Sequence, residues 1–241
     1  MEKKNVIVSL IIGCAFVIGL SVFGYNVSKL KRPDKRIAVT GMAERNFKSD
    51  LAVWTATYEV RAADIQQGYK LMEESKKVVN EFLNAQKITS QMVEYGAIQL
   101  EREYNKDNYC DNKTFVGYLL KQSFTVTSKD IDQIDKLSRD VSQVIKDGVE
   151  ISSQTPNYFY TKLNELKVEM LKEASSDAKK RADVIAEGSG SHVGKLQKAD
   201  QGVFQIVGLN SNEDYSWGGS FNTSSKEKTA SVTIKATYSL K

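Results

Sequence analysis

Few residues in this chain combine the type and the spacing that chemistry needs. His192 is the only histidine, and it lies in a Gly/Ser-rich turn, GSGSHVGK, with no partner nearby in sequence. A His-based triad therefore has one candidate base and nothing to orient it. His192 reads as a structural or exposed residue. The same run superficially looks like a phosphate loop. Such loops follow a strand and open a helix, whereas this one follows a helical pattern and leads into an extended one. In NKDNYCDNK, Asp107, Asn108, Asp111 and Asn112 offer oxygen ligands. Their spacing is not that of a calcium loop and no Glu closes it, so they read as turn residues at a hairpin tip. No Cys/His set has metal-ligand spacing. The expectation is a non-enzymatic protein with no catalytic, cofactor-binding or metal-binding residues.

What remains is contact chemistry. Gly208 to Lys228, GLNSNEDYSWGGSFNTSSKEK, is a long polar loop with Tyr215, Trp217 and Phe221 embedded in it. Loops of that length are usually functional or disordered. Three aromatics on a Gly/Ser background make a candidate contact patch for another subunit or a partner; the alternative is a mobile or self-packed loop. Cys110 is the only thiol outside the N-terminal apolar segment, so the folded region has no internal disulfide. An intermolecular disulfide through Cys110 is the remaining option.

The N-terminus comes first among the elements that position these residues. Val6 to Phe23, VIVSLIIGCAFVIGLSVF, carries no charge over eighteen residues. That is about the shortest helix able to cross a hydrocarbon core of ~30 Å. Its end, SVFGYNV, lacks the small-x-small site of a cleaved signal peptide. Ile11-Ile12-Gly13-Cys14 matches a lipoprotein signal with Cys14 lipidated, but largely apolar residues follow where a polar tether belongs. An uncleaved transmembrane anchor at 1–25 fits best, with a polar basic tether at 26–36 and a folded domain at 37–241. The lipoprotein is the alternative. Two lysines precede the span and five basic residues follow it, which by the inside-positive rule leaves the domain in the cytoplasm. The Lys-Lys-plus-apolar start looks instead like an export signal, and large domains cross regardless of flanking charge. A domain outside the cytoplasm is the favoured reading.

The formal charge of +4 is unevenly distributed. Residues 1–36 hold seven Lys/Arg against two acids; residues 37–241 hold 27 against 28. On that count the folded region has no excess charge for phosphates, and nucleic acid is not an expected partner.

Ile37–Phe47 and Leu51–Arg61 read as strands, the second with Trp54, Ala56, Tyr58 and Val60 on one face. Asp64-Ile65-Gln66-Gln67 opens a helix whose apolar face includes Ile65, Met72, Val79 and Leu83. Met92–Tyr104 is a strand whose alternation breaks at Gly96-Ala97, and Phe115–Thr127 is another. Asp130-Ile131-Asp132-Gln133 repeats the helix opening, with Ile131, Ile134, Leu137, Val141, Val144 and Ile145 buried and Gly148 at the end. Val149–Ser153 completes strand-helix-strand-strand-helix-strand, the order of a ferredoxin-like split βαβ unit. A long helix, Thr161–Gly190, follows, with Thr161 at its cap and Ala174, Ala178, Ala182 and Ala186 stacked every four residues. Two strands, Leu196–Val207 and Thr229–Leu240, close the chain. The predicted class is α+β: a ferredoxin-like unit, a long helix and two further strands, preceded by one transmembrane helix.

From Ile37 onward the chain resembles the SIMPL-domain family of bacterial cell envelopes. IAVTGMAERNFKSDLAVW is similar to the family's Val-x-Gly strand and the Asp-initiated strand after it. EASSDAKKRADVIAEGSGSHVGKL is similar to its Ala-rich helix and Val-Gly-Lys turn, and KADQGVFQI to the segment that follows. The resemblance implies an exported or envelope-associated protein, here held at the inner membrane by a single span. Some members form ring- or barrel-shaped homo-oligomers described as channel-like, and some are linked to oxidative-stress protection. It implies a homo-oligomer and supplies no catalytic residues.

Overall fold

The computed structural model describes residues 13, 16–23, 25, 35–106, 113–214 and 216–241. Residues 16–23 are helical and exposed. No helix among the described residues is long and apolar enough to cross a membrane. Half of the Val6–Phe23 segment lies outside them, Cys14 included, as do Cys110 and Tyr215.

By its contacts the chain divides into two compact units. One contains residues 41–177 and 201–234, the other the described residues of 1–40 with 178–200 and 235–241. In the larger unit β2 (Leu51–Ala62) leads into α1 (Ile65–Ala85), then β3 (Val93–Tyr95), β4 (Gln99–Lys106) and β5 (Lys113–Ser128). α2 (Ile131–Asp140), a four-residue turn α3 (Gln143–Lys146), β6 (Glu150–Ser153) and β7 (Asn157–Phe159) follow. β2 and β5 form the centre of a six-stranded sheet. β3 and β4 succeed one another along the free edge of β5, and β6 and β7 along that of β2, with every pair antiparallel.

The alternation in β2 produces the expected face: Ala52, Trp54, Ala56 and Tyr58 are fully buried. Opposite them β5 contributes Leu120, Phe124 and Val126, and the helices add Met72, Val79, Leu83, Ile134 and Leu137 to the same core. The Trp54 ring meets Phe124 edge-on at 5.6 Å, and its Nε1 donates to Ser153 Oγ at 2.9 Å. Gln122 interrupts the apolar face, and the break in strand pairing at Gly96 explains why it is tolerated. Its amide donates to the Gly96 carbonyl at 2.8 Å while Tyr58 donates to its oxygen, so a buried amide is satisfied where the neighbouring strand leaves the ladder.

Both Asp caps form: Asp64 accepts from the Gln67 amide at 2.8 Å and Asp130 from the Gln133 amide at 2.9 Å. The Gln133 side chain does not close a local box. It donates to the Gln86 carbonyl at 3.0 Å and so satisfies an orphan group at the end of α1. The second helix is not continuous to Gly148. Bonds from Val144 N to Val141 O and from Ile145 N to Ser142 O tighten the chain to three residues per turn. Val141 and Val144 stay buried while Ile145 is turned out to solvent. Ile65, in the first turn of α1, is likewise more exposed than its place in the stripe predicts.

A second sheet is built from β1 (Arg36–Lys48), β8 (Val193–Gln201), β9 (Gln205–Gly208), β10 (Ser220–Phe221) and β11 (Glu227–Leu240). Its order is β1-β11-β9-β10, with β8 also paired to β11. The strand expected over Leu196–Val207 is thus two strands. Gly202 stays bonded to Thr233 O at 2.8 Å, but residues 202–204 leave the ladder and Val203 turns outward. The long helix α4 (Leu163–Gly188) does not use Thr161 as its cap. The Thr161 amide and hydroxyl both donate to the Asp50 carboxylate, at 2.7 and 2.6 Å. Gly190, at φ 70°, supplies the left-handed residue beyond the helix end.

The alanine ridge of α4 is closed to solvent: Ala174, Ala178 and Ala182 are fully buried and Ala186 nearly so. Methyl groups at these positions permit an approach that larger side chains forbid. Ala178→Leu or Ala182→Leu is expected to lower stability by ~1–3 kcal/mol. Urea midpoints unchanged in both variants would show that the ridge has room to spare.

Candidate interaction surface

The loop between β9 and β11 is ordered by its own side chains. β10, two residues long, pairs parallel to β9, which turns part of the expected loop into a sheet edge. Gln205, buried in β9, acts as a substitute strand. Its amide nitrogen donates to Ser216 O at 2.6 Å, and its oxygen accepts from Ser216 N at 3.2 Å. Asn222 accepts from Ser225 N at 2.9 Å and donates to Glu213. Gly219 sits at φ 91°, where a Cβ would come within 2.8 Å of Phe204 O, so only glycine fits that turn.

This scaffold holds its apolar side chains outward. Trp217 is 101% exposed and Phe221 53% exposed, and Val203, beside Gly219, is also open to solvent. Of the three aromatics read from the sequence, the structure therefore displays two. Tyr215 lies outside the described residues, as does the candidate thiol Cys110. The Trp217 ring is not packed into the loop, and among the described residues it rests on nothing.

The far end of the loop is clamped. Thr223 O accepts from Tyr158 N at 2.7 Å, and Thr223 Oγ1 bonds Asn157 Oδ1 at 2.9 Å. Lys226 forms ion pairs with Asp132 at 2.9 Å and Asp135 at 3.0 Å, and Asp135 also accepts from Arg139 and from the Tyr158 hydroxyl. Burial pushes the Asp135 carboxyl up, but hydrogen bonds from Lys226 and Arg139 outweigh it and hold the group below the usual carboxylate range. Burial likewise pulls Lys226 down, and its two aspartates raise it above the ordinary lysine value. Asp135, Arg139, Tyr158 and Lys226 line a pocket of about 660 Å³ together with Ser138, Ser153 and Ser224.

Lys228 was missed in the sequence, where it reads as the last residue of a polar loop. It is 2% exposed, donating to Ser49 Oγ at 3.1 Å and to the Tyr158 carbonyl. Both acceptors are neutral. Burial lowers its pKa to about 8, against the opposing pull of Glu213. A signal was present: Lys228 has the same even parity as Ala230, Val232, Ile234, Ala236 and Tyr238, the inward face of β11.

The residues with catalytic reputations are placed elsewhere. His192 is exposed and joined to Lys241 through the backbone, N–H to O at 3.1 Å and 2.8 Å. Among the described residues no three His, Cys, Asp or Glu side chains gather where they could hold a metal ion.

Fold and surface together define a mixed α+β protein of two compact units that displays an ordered aromatic loop on one of them. The chain belongs to the SIMPL family: the family model, described as a protein of unknown function (DUF541), matches residues 37–238. No curated protein matches it.

Proposed function

We propose that this protein is a non-enzymatic, membrane-anchored component of the cell envelope that self-associates through its SIMPL domain, using the loop that carries Trp217 and Phe221. The observation that carries the reading is a fully exposed tryptophan on a loop whose backbone is fastened at both ends. Rigid display lowers the ordering cost of association, and tryptophan is enriched among residues that dominate interface energy. The exposed β10 edge beside it can add a strand from a second copy. We read the larger unit as a ferredoxin-like split βαβ unit, supported by its strand order and its two helical crossovers. The anchor and the outward orientation rest on the Val6–Phe23 segment, and the envelope setting and any role in oxidative-stress protection on kinship with the SIMPL family.

Full-length protein in detergent, measured by light scattering, should exceed the monomer mass. Trp217→Ala should weaken association by roughly 30-fold, the ~2 kcal/mol of an interface hot spot. A strict monomer at tens of micromolar would sink the proposal. Protease added outside spheroplasts should cut the domain; protection would place it in the cytoplasm.

The pocket beside Lys226 favours a second reading, a monomeric ligand-binding envelope module. Its Arg139 and Lys226 side chains are already paired with Asp135, which also lines it, so with Tyr158 and three serines it suits a small polar, uncharged metabolite. A saturable thermal shift by such a compound, with no oligomer, would favour this reading over the first.

A further inference from the structure

The near neutrality of residues 35–241, 29 Lys/Arg against 28 Asp/Glu, conceals a division of charge. In the smaller unit, residues 35–40, 178–200 and 235–241 carry nine Lys/Arg against three Asp/Glu, a net +6. The larger unit, residues 41–177 and 201–234, carries 20 against 25, a net −5. The basic unit also has an open groove of about 580 Å³ whose lining includes Val39, Thr40, Lys180, Val184 and Ile185. Val184 is 69% exposed and Ile185 56% exposed, and Leu196 of the same unit is 54% exposed. Large aliphatic side chains open to water beside Lys180, on a unit of net positive charge, combine two attractions, apolar insertion and charge, that match an anionic lipid surface.

The chain's own layout selects that partner. Only residues 24–34 separate the apolar Val6–Phe23 segment from Lys35 at the start of this unit. Eleven residues reach at most about 40 Å. We infer that the smaller unit docks on anionic lipid headgroups, with Lys180 paired to phosphate, Val184 and Ile185 entering the headgroup boundary, and the unit's other basic residues, Lys195 among them, adding attraction at longer range. This inference rests on the anchor reading only for the tether; the basic apolar groove makes the contact by itself.

The test uses full-length protein with Cys14→Ala, Cys110→Ser and Val184→Cys, labelled with a fluorophore at position 184. It is mixed with vesicles containing quencher-bearing lipids. Fluorescence should fall roughly by half on vesicles of about one-third phosphatidylglycerol and change little on phosphatidylcholine. The loss should reverse as salt rises from about 0.1 to 0.5 M, and Lys180→Glu with Lys195→Glu should abolish it. Flotation resistant to alkaline carbonate reports the anchor separately. Carbonate-resistant flotation with an unquenched label overturns the docking and leaves the anchor standing. Quenching without such flotation removes the anchor and keeps the docking. Equal quenching on both vesicles, or tight binding to duplex DNA with no quenching on either, overturns the lipid-headgroup contact. Should the Lys180→Glu, Lys195→Glu variant misfold, the salt dependence decides alone.

Discussion

Lys228→Met is expected to flatten the rise in stability that the wild-type protein shows between about pH 8 and pH 10.5. The buried ammonium has a folded-state pKa of about 8, against the ordinary lysine value of 10.5. Below pH 8 both folded and unfolded chains hold the proton, and the full penalty of burying the charge is present. Between the two values the unfolded chain keeps its proton while the folded chain has lost it, so stability increases with pH. Above 10.5 both are neutral and the penalty is gone. The shift corresponds to about 3 kcal/mol at most. At pH 7 the methionine removes that penalty but leaves Ser49 Oγ and the Tyr158 carbonyl without their donor. The variant should therefore be as stable as wild type or up to about 2 kcal/mol more so. Urea midpoints at pH 7 and pH 10 for both proteins are the measurement. Identical pH slopes would mean that Lys228 is hydrated or ion-paired in solution. Other lysines and tyrosines titrate in this window, so the difference between the two proteins isolates Lys228.

Trp54→Ala is expected to cost ~3–5 kcal/mol, the largest loss from any single truncation discussed. The indole is fully buried, edge-on to Phe124, and opposite Val126 in the β2–β5 register. Trp54→Phe keeps a ring in the core and loses the Nε1 bond to Ser153, a change worth about 1 kcal/mol. Circular dichroism during urea unfolding separates the two variants without relying on the deleted fluorophore. If alanine costs no more than phenylalanine, the core does not depend on that ring. The contrast with Trp217 is instructive, because the same residue type is wholly buried at one site and wholly exposed at the other.

The regular elements were legible because their information is local and periodic. Alternation in β2 and β11, the two Asp caps and the four-residue alanine ridge each follow from backbone geometry within one element. Even the break at Gly96-Ala97 left a trace, as a lapse in alternation. The errors arose where a non-local contact decided the outcome. Thr161 has the right type for a cap, yet Asp50, more than a hundred residues away, takes its hydroxyl. The Leu196–Val207 strand is divided where Gly202 lies against Thr233, and β10 exists only because β9 offers it an edge. Ile145 sits on the apolar stripe of an ideal helix, and a tightened turn rotates it into water.

The candidate surface divides in the same way. That the chain carries aromatics on a polar loop is plain from composition. That Trp217 projects fully into solvent depends on Gln205, Gly219 and Asn222 holding the loop, and no spacing within the loop encodes that. Charge behaved differently, because a count along the chain averages over residues that folding separates.

By itself the sequence determined the SIMPL kinship, the α+β order of elements, the faces of β2 and β11, and the buried ridge of α4. The kinship rests on short motifs resembling the family's, while the strand faces and the ridge depend on periods of two and of about four residues. Only the tertiary structure decided that Lys228 is inside, that Trp217 is outside, and that basic residues from three separate segments share one compact unit. Burial and net field are sums over neighbours in space, and those neighbours come from segments far apart in the chain.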